Sequence, residues 1–485
     1  MTDQPTHHVD VAIIGTGSAG MSAYRAARAH SDRLLLIEKH LYGTTCARVG
    51  CMPSKLLIAA AEAAHHVRHA AGFGVEAGPP VVDGRAVMAR VRAERDRFVG
   101  FVLDDVQSWP AEHRLIGDAR FVAPHRLRVG EALVEAKRIV IATGSRPTWP
   151  AAWNALGDRL IVNDAVFDWE DLPRAVAVFG NGVIGMELAQ ALARLGVRVR
   201  LFGLGGLVGP LTDPQVIAAA RAAFAQDYRF DPEAEVASVT REGDQVVVRY
   251  RGKPELGEAD AEIEERFDYL LAATGRRPNL DLIGLEHSGL ALDARGTPLG
   301  FDPATGRIGD SHIFIAGDAA PDVPLLHEAA DLGRIAGDNA GRYPQLRRRK
   351  RRSPLSVVFS DPQIALAGEA LRSIEARGVD FVTGAVDFAG QGRSRVMRRN
   401  QGRLSVYVER GSGRFLGAEM VGPDAEHLAH LLAWAHQARL TVGEMLDSPF
   451  YHPVIEEGLR SALRAARDLA GAPAEPDCLD CRLMD

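Results

Sequence analysis

Short, continuous apolar runs alternate with helical patterns in the first part of the chain. Residues 9–14 form one such run, broken only by Asp10, and residues 34–37 form another. Between them, residues 21–29 carry apolar positions at helical spacing. An apolar run without alternation is typical of a parallel strand that is buried on both faces. The pattern therefore predicts a strand–helix–strand unit of an α/β fold.

A glycine-rich turn joins the first predicted strand to the helix. Gly15, Gly17 and Gly20 have the spacing of a dinucleotide-binding turn, and Glu38 follows at the end of the next predicted strand. The first glycine permits the bend, the second lets backbone approach a pyrophosphate, and the third lets the helix pack on the strand. Glu38 can accept hydrogen bonds from ribose hydroxyls. A dinucleotide site is therefore a better interpretation than an ordinary glycine-rich turn.

The same pattern recurs in the middle of the chain. A strand, a glycine-rich turn, a helix and a second strand are predicted at 176–179, Gly180-Gly182-Gly185, 186–195 and 197–202. The position equivalent to Glu38 is Gly203, and neither acid nor arginine occupies the next three positions. Two units with different ribose sites indicate a flavin dinucleotide and a nicotinamide dinucleotide that exchange a hydride. Gly203 predicts NAD with weak discrimination, and NADP stays open.

Three other predicted strands end in residues that suit a ligand site. They lead to Thr143-Gly144, to Thr274-Gly275 and to Asp318. Ligands of open α/β sheets bind at the carboxyl ends of the strands, so these residues are expected to line the two nucleotide sites.

The last part of the chain has a different pattern. A basic run at residues 347–352 is interpreted as a solvated linker in preference to a site for an anionic partner. Beyond it, strands at 355–359, 404–408 and 415–421 alternate with helices at 427–438 and 454–469, without a nucleotide fingerprint. We expect an α/β protein with two Rossmann-like dinucleotide-binding domains and a C-terminal α+β domain. The predicted divisions are 1–150 for FAD, 151–280 for NAD(P), 281–350 for a return to the first domain, 351–470 for the α+β domain and 471–485 for a cysteine-containing tail.

Composition narrows the function classes. The net charge of −6 argues against nucleic acid as the main partner. We see no secretory signal and no apolar run of membrane-spanning length, so a cytoplasmic protein without a membrane partner is predicted. The four cysteines form two close pairs, Cys46/Cys51 and Cys478/Cys481, which favours redox work or metal binding over packing.

The first cysteine pair lies in the most specific motif of the chain. Cys51 precedes Pro53-Ser54 and an apolar helical run, which places it near a helix N-terminus that favours a thiolate. Lys55 follows on the same helix face, where its charge can stabilise that thiolate or pair with a carboxylate. A purely structural disulfide is disfavoured, because a reducing cytosol keeps ordinary pairs open.

Further along this helix, His65 and His69 have the spacing of metal ligands. A solvated helix face is the favoured interpretation of these histidines, and no metal site is predicted.

The sequence resembles the flavin-dependent disulfide oxidoreductases, the class I family of dihydrolipoamide dehydrogenase, glutathione reductase and mercuric reductase. The resemblance rests on residues 46–55, 359–365 and 452–457 and extends over most of the chain. Pro-Ser-Lys after Cys51 is more like the lipoamide and mercuric enzymes than the glutathione enzymes. The His-Pro stretch at His452 favours the lipoamide enzymes over the mercuric enzymes.

The resemblance implies roles for individual residues. Cys46 would exchange with substrate, Cys51 would face the flavin, and Lys55 would pair with Glu187. His452, oriented by Glu457, would act as base from the other subunit of a homodimer, so the α+β domain at 351–470 would be the interface (dimerisation) domain. Electrons would pass from a small dithiol or a lipoyl domain through Cys46 and Cys51 to FAD and on to NAD. The implied cofactor-binding set comprises Gly15, Gly17, Gly20, Glu38, Thr45, Thr143, Gly144, Asp318, Gly180, Gly182, Gly185, Gly203 and Gly275.

Two alternatives remain beside a dihydrolipoamide dehydrogenase. One is an NAD(P)H-dependent reductase of another disulfide, whether glutathione-like, mercuric-like or a protein disulfide served by Cys478 and Cys481. Those two cysteines have the spacing of a redox dithiol, but a zinc half-site, a soft-metal site or an idle terminus fits them as well. The other is a non-enzymatic binding subunit, which the joint presence of the catalytic residues disfavours.

Overall fold

The first sheet of this computed structural model, which describes residues 6–471, is built around a parallel core. Five parallel strands occur in the spatial order Ile313–Ile315, Ala132–Ile141, Thr6–Ile14, Leu34–Glu38 and Arg114–Ile116. The short strands Phe301–Asp302, Arg307–Ile308, Ala119–Ala123 and Arg126–Val129 extend it in antiparallel fashion. Val11, Ala12 and Ile13 are fully buried, as expected for a strand covered on both faces.

Helices cover this sheet. Ser18–Arg28 follows the first glycine-rich turn and packs against Leu326–Arg342. The helices Thr45–Val49, Cys51–His69 and Gly84–Gln107 follow the second strand of the chain. The contact of Ser18–Arg28 with Leu326–Arg342 is close, because a Cβ on Gly333 would lie 2.2 Å from the carbonyl oxygen of Ala19.

The second unit repeats the strand–turn–helix arrangement. Its five-stranded parallel sheet has the order Arg229–Asp231, Arg198–Phe202, Ala175–Phe179, Tyr269–Ala272 and Leu160–Ile161. Its main helices are Val183–Arg194 and Pro214–Phe224, with the short helix Asn163–Val166 before them. An antiparallel sheet of Val236–Glu242, Gln245–Arg251 and Glu262–Phe267 is inserted before the return strand.

The second unit is an insertion in the first. The chain leaves the first sheet after Ala132–Ile141 and rejoins it at Phe301–Asp302, ahead of the parallel strand Ile313–Ile315. The two segments that connect the first and second units lie side by side, since Ser145–Pro147 pairs with Arg276–Pro278 in a two-stranded antiparallel ribbon. The segment from 281 onward therefore completes the first unit.

The third unit is an antiparallel sheet covered by helices. Its strand order is Leu355–Val358, Gln363–Gly368, Phe415–Gly422, Arg403–Glu409 and Phe381–Asp387. The helices are Leu371–Ala376, Gly392–Val396, Ala425–Ala438, Val442–Leu446 and Glu456–Ala470. Ala425–Ala438 and Glu456–Ala470 contribute the apolar core with the inner face of the sheet. The α+β expectation for this unit agrees with the structure.

Two long helices have no counterpart among the sequence-based expectations. Gly84–Gln107 buries only Met88, Val91, Val99 and Val106, so its apolar face is thin and interrupted by arginines. Leu326–Arg342 buries the carboxylates of Glu328, Asp331 and Asp338, which a hydropathy pattern treats as exposed.

The basic run is not a freely solvated linker, and that expectation was wrong. Its arginines form ion pairs with carboxylates of the first unit: Arg348 with Asp302 at 2.8 Å, Arg349 with Asp338 at 3.1 Å, Arg351 with Asp322 at 2.5 Å and Arg352 with Asp331 at 3.4 Å. Arg351 also contacts Glu328. The buried acids of Leu326–Arg342 and the basic run therefore neutralise each other.

Asp338 should contribute to stability in a pH-dependent way. Burial alone would raise its pKa, but hydrogen bonds from Arg342, His30 and Arg349 hold the pKa of Asp338 well below its usual value. Asp338→Asn should therefore lower the stability of the holoenzyme by on the order of 3 kcal/mol near neutral pH, read as a fall in Tm.

The sign of the pH dependence follows from the lowered pKa. The contribution is complete above the unfolded-state pKa, near 4, and is lost as the pH falls below it. The gap in Tm should be constant from about pH 5 upward and narrow below about pH 4. Asp310→Asn is the control, because Asp310 is fully exposed and its pair with Arg307 is screened. Equal losses for both variants would contradict the role of Asp338.

Candidate active site

Two consecutive helices, joined at Gly50, bring the thiols of Cys46 and Cys51 together. Cys46 lies in the helix Thr45–Val49, whose first turn is capped by Thr44 Oγ1 accepting from the Ala47 N–H at 3.1 Å. Cys51 is the first residue of the helix Cys51–His69. Gly50 separates the two helices, and a Cβ there would lie 3.0 Å from the carbonyl oxygen of Thr45. Both cysteines are free thiols in this structure.

The two thiols differ in acidity. The hydrogen bond from Cys46 is the main cause that lowers the pKa of Cys51 to about 7, and the charge of Lys55 lowers it further. Conversely, its hydrogen bond to Cys51, together with burial, raises the pKa of Cys46. Cys51 therefore holds the negative charge of the pair near neutral pH, at the helix end that favours an anion.

Lys55 connects the thiols to the other two units. Its Nζ donates to Glu187 Oε2 at 2.7 Å, and Glu187 lies on the helix Val183–Arg194 of the second unit. The backbone N–H of Phe359, just after the first strand of the third unit, donates to Glu187 Oε1 at 2.9 Å. The Phe359 ring lies 4.5 Å from Lys55 Nζ, in the arrangement of a cation–π contact. Phe359 was part of a recognised motif, but its contact with Lys55 was not foreseen.

The first glycine-rich turn has the geometry of a phosphate site. Gly15 has a φ of +106°, and a Cβ there would lie 2.3 Å from the carbonyl oxygen of Ala142. A Cβ on Gly20 would lie 1.9 Å from the Gly15 oxygen, so helix and turn touch. The Cβ position of Gly17 meets no atom within 4 Å. Glu38 lies beside this turn, where its carboxylate accepts from the Thr16 N–H and hydroxyl at 2.9 and 2.7 Å.

A cleft connects this turn to the thiols. Residues that line it include Gly17, Thr45, Cys46, Cys51, Gly144 and Asp318. The hydroxyl of Thr143 is buried without a hydrogen-bond partner, and Asp318 accepts from Ser145 at 2.7 Å. An open backbone cradle, a ribose acid and an unpaired buried hydroxyl fit FAD. Ser145 was not predicted, although it directly follows Thr143-Gly144.

The second glycine-rich turn repeats the first. Gly180 has a φ of +114° and its Cβ position lies 2.2 Å from the Ala273 oxygen, while the Cβ position of Gly182 is open. A Cβ on Gly185 would lie 1.9 Å from the Gly180 oxygen. Gly182, Gly275 and Arg276 line a cleft at this turn, which suits the nicotinamide dinucleotide.

The end of the next strand is crowded, and the two arginines of that strand are bound to carboxylates. A Cβ on Gly203 would lie 2.8 Å from Pro232 backbone atoms and from Asn181 Nδ2, so no side chain fits there without a shift. Arg200 is buried and bound to Glu258 at 2.5 and 3.0 Å, and Arg198 is bound to Glu265 at 2.7 Å. From the sequence alone, Gly203→Glu is expected to sharpen the preference for NAD, but the crowding shows that the substitution would disturb the fold.

His452 lies far from these turns in the sequence, in the third unit. Its Nδ1 is 3.0 Å from Glu457 Oε1, and Glu457 Oε2 accepts from the Val454 N–H at 3.2 Å. The His452 hydrogen bond holds the pKa of Glu457 below its usual value. The ring is 80 % exposed. Among the described residues of this single chain, those that line the thiol cleft all come from the first unit and its return segment.

The histidines of the helix Cys51–His69 do not form a metal centre with a third ligand. The rings of His65 and His69 lie 4.1 Å apart, and His69 Nδ1 bonds the His65 carbonyl oxygen. Residues 6–471 contain no group of three His, Cys, Asp or Glu side chains placed to hold a metal ion. Cys478 and Cys481 lie outside the described residues.

Comparison with known proteins decides the family. A model described as "Pyridine nucleotide-disulphide oxidoreductase" matches residues 9–333, and the dimerisation domain of the same family matches residues 355–463. The chain belongs to the class I pyridine nucleotide-disulphide oxidoreductases. The family depends on FAD and on NAD(P)H, and its dimerisation domain supports a homodimer. The predicted fold class is confirmed.

The relatives carry different names. A mercuric reductase of Shigella flexneri is 32 % identical over 93 % of this chain and 80 % of its own length. A dihydrolipoyl dehydrogenase of Bacillus subtilis is 28 % identical over 95 % and 99 %. Among solved structures, LpdA of Mycobacterium tuberculosis has a TM-score of 0.78 at 26 % identity, covering 95 % of this chain and all of its own. The HOCl-induced flavoprotein disulfide reductase RclA from Escherichia coli has a TM-score of 0.75, at 23 % identity over 95 % and 99 %.

One further observation concerns the helices. Within residues 6–471, none combines the length and the apolar character needed to cross a membrane.

The acidity difference between the thiols leads to a spectroscopic prediction. In the two-electron-reduced holoenzyme, the Cys51 thiolate beside the flavin should give a long-wavelength absorbance that grows with pH through a midpoint near 7. Cys51→Ser should abolish this absorbance. Cys46→Ser cannot form the disulfide, so it should show the absorbance before any reduction, while the flavin is oxidised. Loss of the band in Cys46→Ser alone would show that the roles of the two thiols are reversed.

Proposed function

We propose that the chain is a dihydrolipoamide dehydrogenase-like enzyme that oxidises a small dithiol. The observation that carries the proposal is the His452–Glu457 hydrogen bond. A dithiol must lose a proton before it attacks a disulfide, and a histidine oriented by a carboxylate is a suitable base near neutral pH. Because Nδ1 bonds Glu457, Nε2 is the atom left to take the proton.

The acidity of the two cysteines determines the direction of exchange. A substrate thiolate attacks one sulfur of the oxidised pair and the other leaves, and the thiol of lower pKa leaves more readily. Attack on Cys46 releases Cys51 as the thiolate that Lys55 stabilises. The second substrate thiol then attacks the substrate sulfur that is bonded to Cys46, and Cys46 is the leaving group. The products are a substrate disulfide and a reduced Cys46/Cys51 pair. FAD, when bound, takes up this electron pair and passes it to the nicotinamide.

The base is proposed to come from the partner subunit. The support is that no described residue of the third unit lines the thiol cleft of its own chain, whereas His452 is exposed on that unit. A family dimerisation domain at residues 355–463 provides the second copy. In this arrangement, each site of the homodimer uses Cys46 and Cys51 of one protomer and His452 of the other.

A second candidate is a reductase that works from NAD(P)H outward on another acceptor. The observation that favours it is the 32 % identity to a mercuric reductase. Cys478 and Cys481, outside the described residues, are candidates for passing electrons to mercuric ion or to a protein disulfide in that case.

A turnover panel separates these candidates. The purified homodimer should oxidise dihydrolipoamide with NAD far faster than it reduces oxidised glutathione, mercuric ion or a protein disulfide with NADH or NADPH. Fast mercuric-ion-dependent oxidation of NADPH with negligible lipoamide turnover would overturn the proposal in favour of the reductase.

The proposed base gives a variant test. His452→Ala should slow the dithiol half-reaction by about 10²- to 10⁴-fold, the usual range for a lost general base. Reduction of the enzyme by NADH should be nearly unchanged, because that half-reaction needs no substrate base. Stopped-flow absorbance measures both halves.

A matched control exists in the same unit. His427 is exposed, and its Nε2 lies 3.9 Å from Glu426 Oε1. His427→Ala therefore also removes an exposed histidine that lies beside a glutamate. It should leave both half-reactions intact. Equal loss of both halves in His452→Ala would identify a structural histidine.

We also propose NAD as the working nicotinamide. Arg198 and Arg200 are already bound to carboxylates, which leaves Arg221 as the nearest cation we find at the loop: its Nη2 donates to the Gly206 carbonyl oxygen at 2.6 Å. The kcat/KM of the wild type should favour NADH over NADPH, and Arg221→Ala should reduce the residual NADPH activity several-fold with little effect on NADH. A wild-type preference for NADPH would contradict the proposal.

A further inference from the structure

A basic cleft of about 320 Å³ lies at the edge of the third unit, away from the thiols. Its cationic lining residues are Lys350, Arg351, Arg352, Arg377, Arg414 and Arg439, and Glu369 is its one lining carboxylate. The polar side chains of Ser353, His436 and Gln437 lie between them. Neither the proposed reaction nor the two nucleotide sites use this cleft.

Two of these cations are not neutralised. Arg377 binds Glu369, Arg414 lies 3.3 Å from Glu409, and Arg351 and Arg352 pair with acids of the first unit. Within residues 6–471, no carboxylate lies within 4.0 Å of Lys350 or Arg439, and both side chains are exposed.

The cations of the cleft affect the pKa of His436, which lies among them. Burial is the main cause that lowers the pKa of His436, Glu369 opposes it, and Arg414, Arg439 and Lys350 lower it further. The cleft therefore presents a positive potential to an anion, with Ser353 and Gln437 as hydrogen-bonding neighbours.

The chain's own C-terminal segment has the complementary charge. Residues 472–485, which lie outside the described residues, contain Glu475, Asp477, Asp480 and Asp485 against a single arginine, Arg482. This acidic stretch includes Cys478 and Cys481.

The described chain ends near a turn that also contributes to the cleft. The helix Glu456–Ala470 leads to Gly471, and the Leu469 carbonyl oxygen accepts from Arg410 Nη1 at 3.0 Å. Arg410 belongs to the turn between Arg403–Glu409 and Phe415–Gly422, and Arg414 of the same turn lines the cleft. A segment of this length spans up to about 45 Å when extended, so the cleft is within reach.

We propose that the acidic C-terminal segment docks in this basic cleft, with Lys350 and Arg439 as its main ion-pair partners. Each exposed pair contributes little, so several charges of the segment must act together. Because the tether supplies an effective concentration in the millimolar range, a combined dissociation constant of about that size holds the segment in the cleft. Docking holds Cys478 and Cys481 against the cleft and lowers their reactivity. Because the ion pairs are exposed, salt releases the segment.

Alkylation of the tail cysteines tests the docking. The full-length holoenzyme, kept reduced, is treated with N-ethylmaleimide at low salt and at 0.5 M NaCl. Tryptic cleavage after Arg467 and Arg482 isolates one peptide with both cysteines, and mass spectrometry measures its modification rate. We expect the rate to be at least threefold lower at low salt.

Charge-reversal variants identify the cleft. The double variant Lys350→Glu/Arg439→Glu should be alkylated at the high-salt rate under both conditions. Arg295→Glu is the control, since Arg295 is an exposed cation outside the cleft and should leave the salt dependence intact. Equal rates for wild type and double variant at low salt would overturn the proposal. Dihydrolipoamide turnover is measured on untreated wild type and variants and should not change, so this test stands apart from the proposed function.

A binding measurement addresses the same contact without reference to reactivity. A fluorescein-labelled peptide of residues 472–485 should bind the enzyme truncated after Gly471, by anisotropy, and bind the truncated double variant at least fivefold more weakly. If inorganic triphosphate binds the truncated and full-length enzymes with equal affinity, the cleft is a small-anion site that the tail does not occupy, and the proposal fails.

Discussion

The contact of Lys55 with Glu187 is the point at which the three units of the chain meet. One ammonium group on the helix of Cys51 is held by a carboxylate of the second unit, and that carboxylate is held by the Phe359 backbone of the third unit. The acidity of Cys51 depends on the same charges, because Lys55 lowers its pKa and Glu187 raises it. A displacement of any of the three units would therefore change the pKa of Cys51.

Local motifs could be read from the sequence because each is complete within a few residues. The two glycine-rich turns need only a strand, three glycines and a helix, and the structure shows both with the same close backbone contacts. The pair of cysteines at the start of a helix and the His452–Glu457 contact are also short-range. Lys55 and Glu187, by contrast, lie in different units, and only a family resemblance suggested their pairing.

The ion pairs between charged residues that are distant in the sequence could not be predicted from the sequence. The helix Leu326–Arg342 looks polar, since Glu328, Asp331 and Asp338 carry no sign of burial in the sequence. The arginine run at residues 347–352 looks solvated for the same reason. The structure accounts for both segments together, because the arginines form ion pairs with the buried acids. The crowding at Gly203 is likewise invisible until Pro232 and Asn181 are placed beside it.

The insertion of the second unit into the first has a consequence for synthesis on the ribosome. The strand Ile313–Ile315 pairs with Ala132–Ile141, so the first sheet stays incomplete until the whole inserted unit has been translated. At about 5–20 residues per second, the apolar edge of Ala132–Ile141 waits on the order of ten to thirty seconds for its neighbour. The inserted unit, whose strands are close in sequence, can close first. The domain that begins the chain is thus among the last to finish folding, and its exposed edge is a place where a chaperone would act.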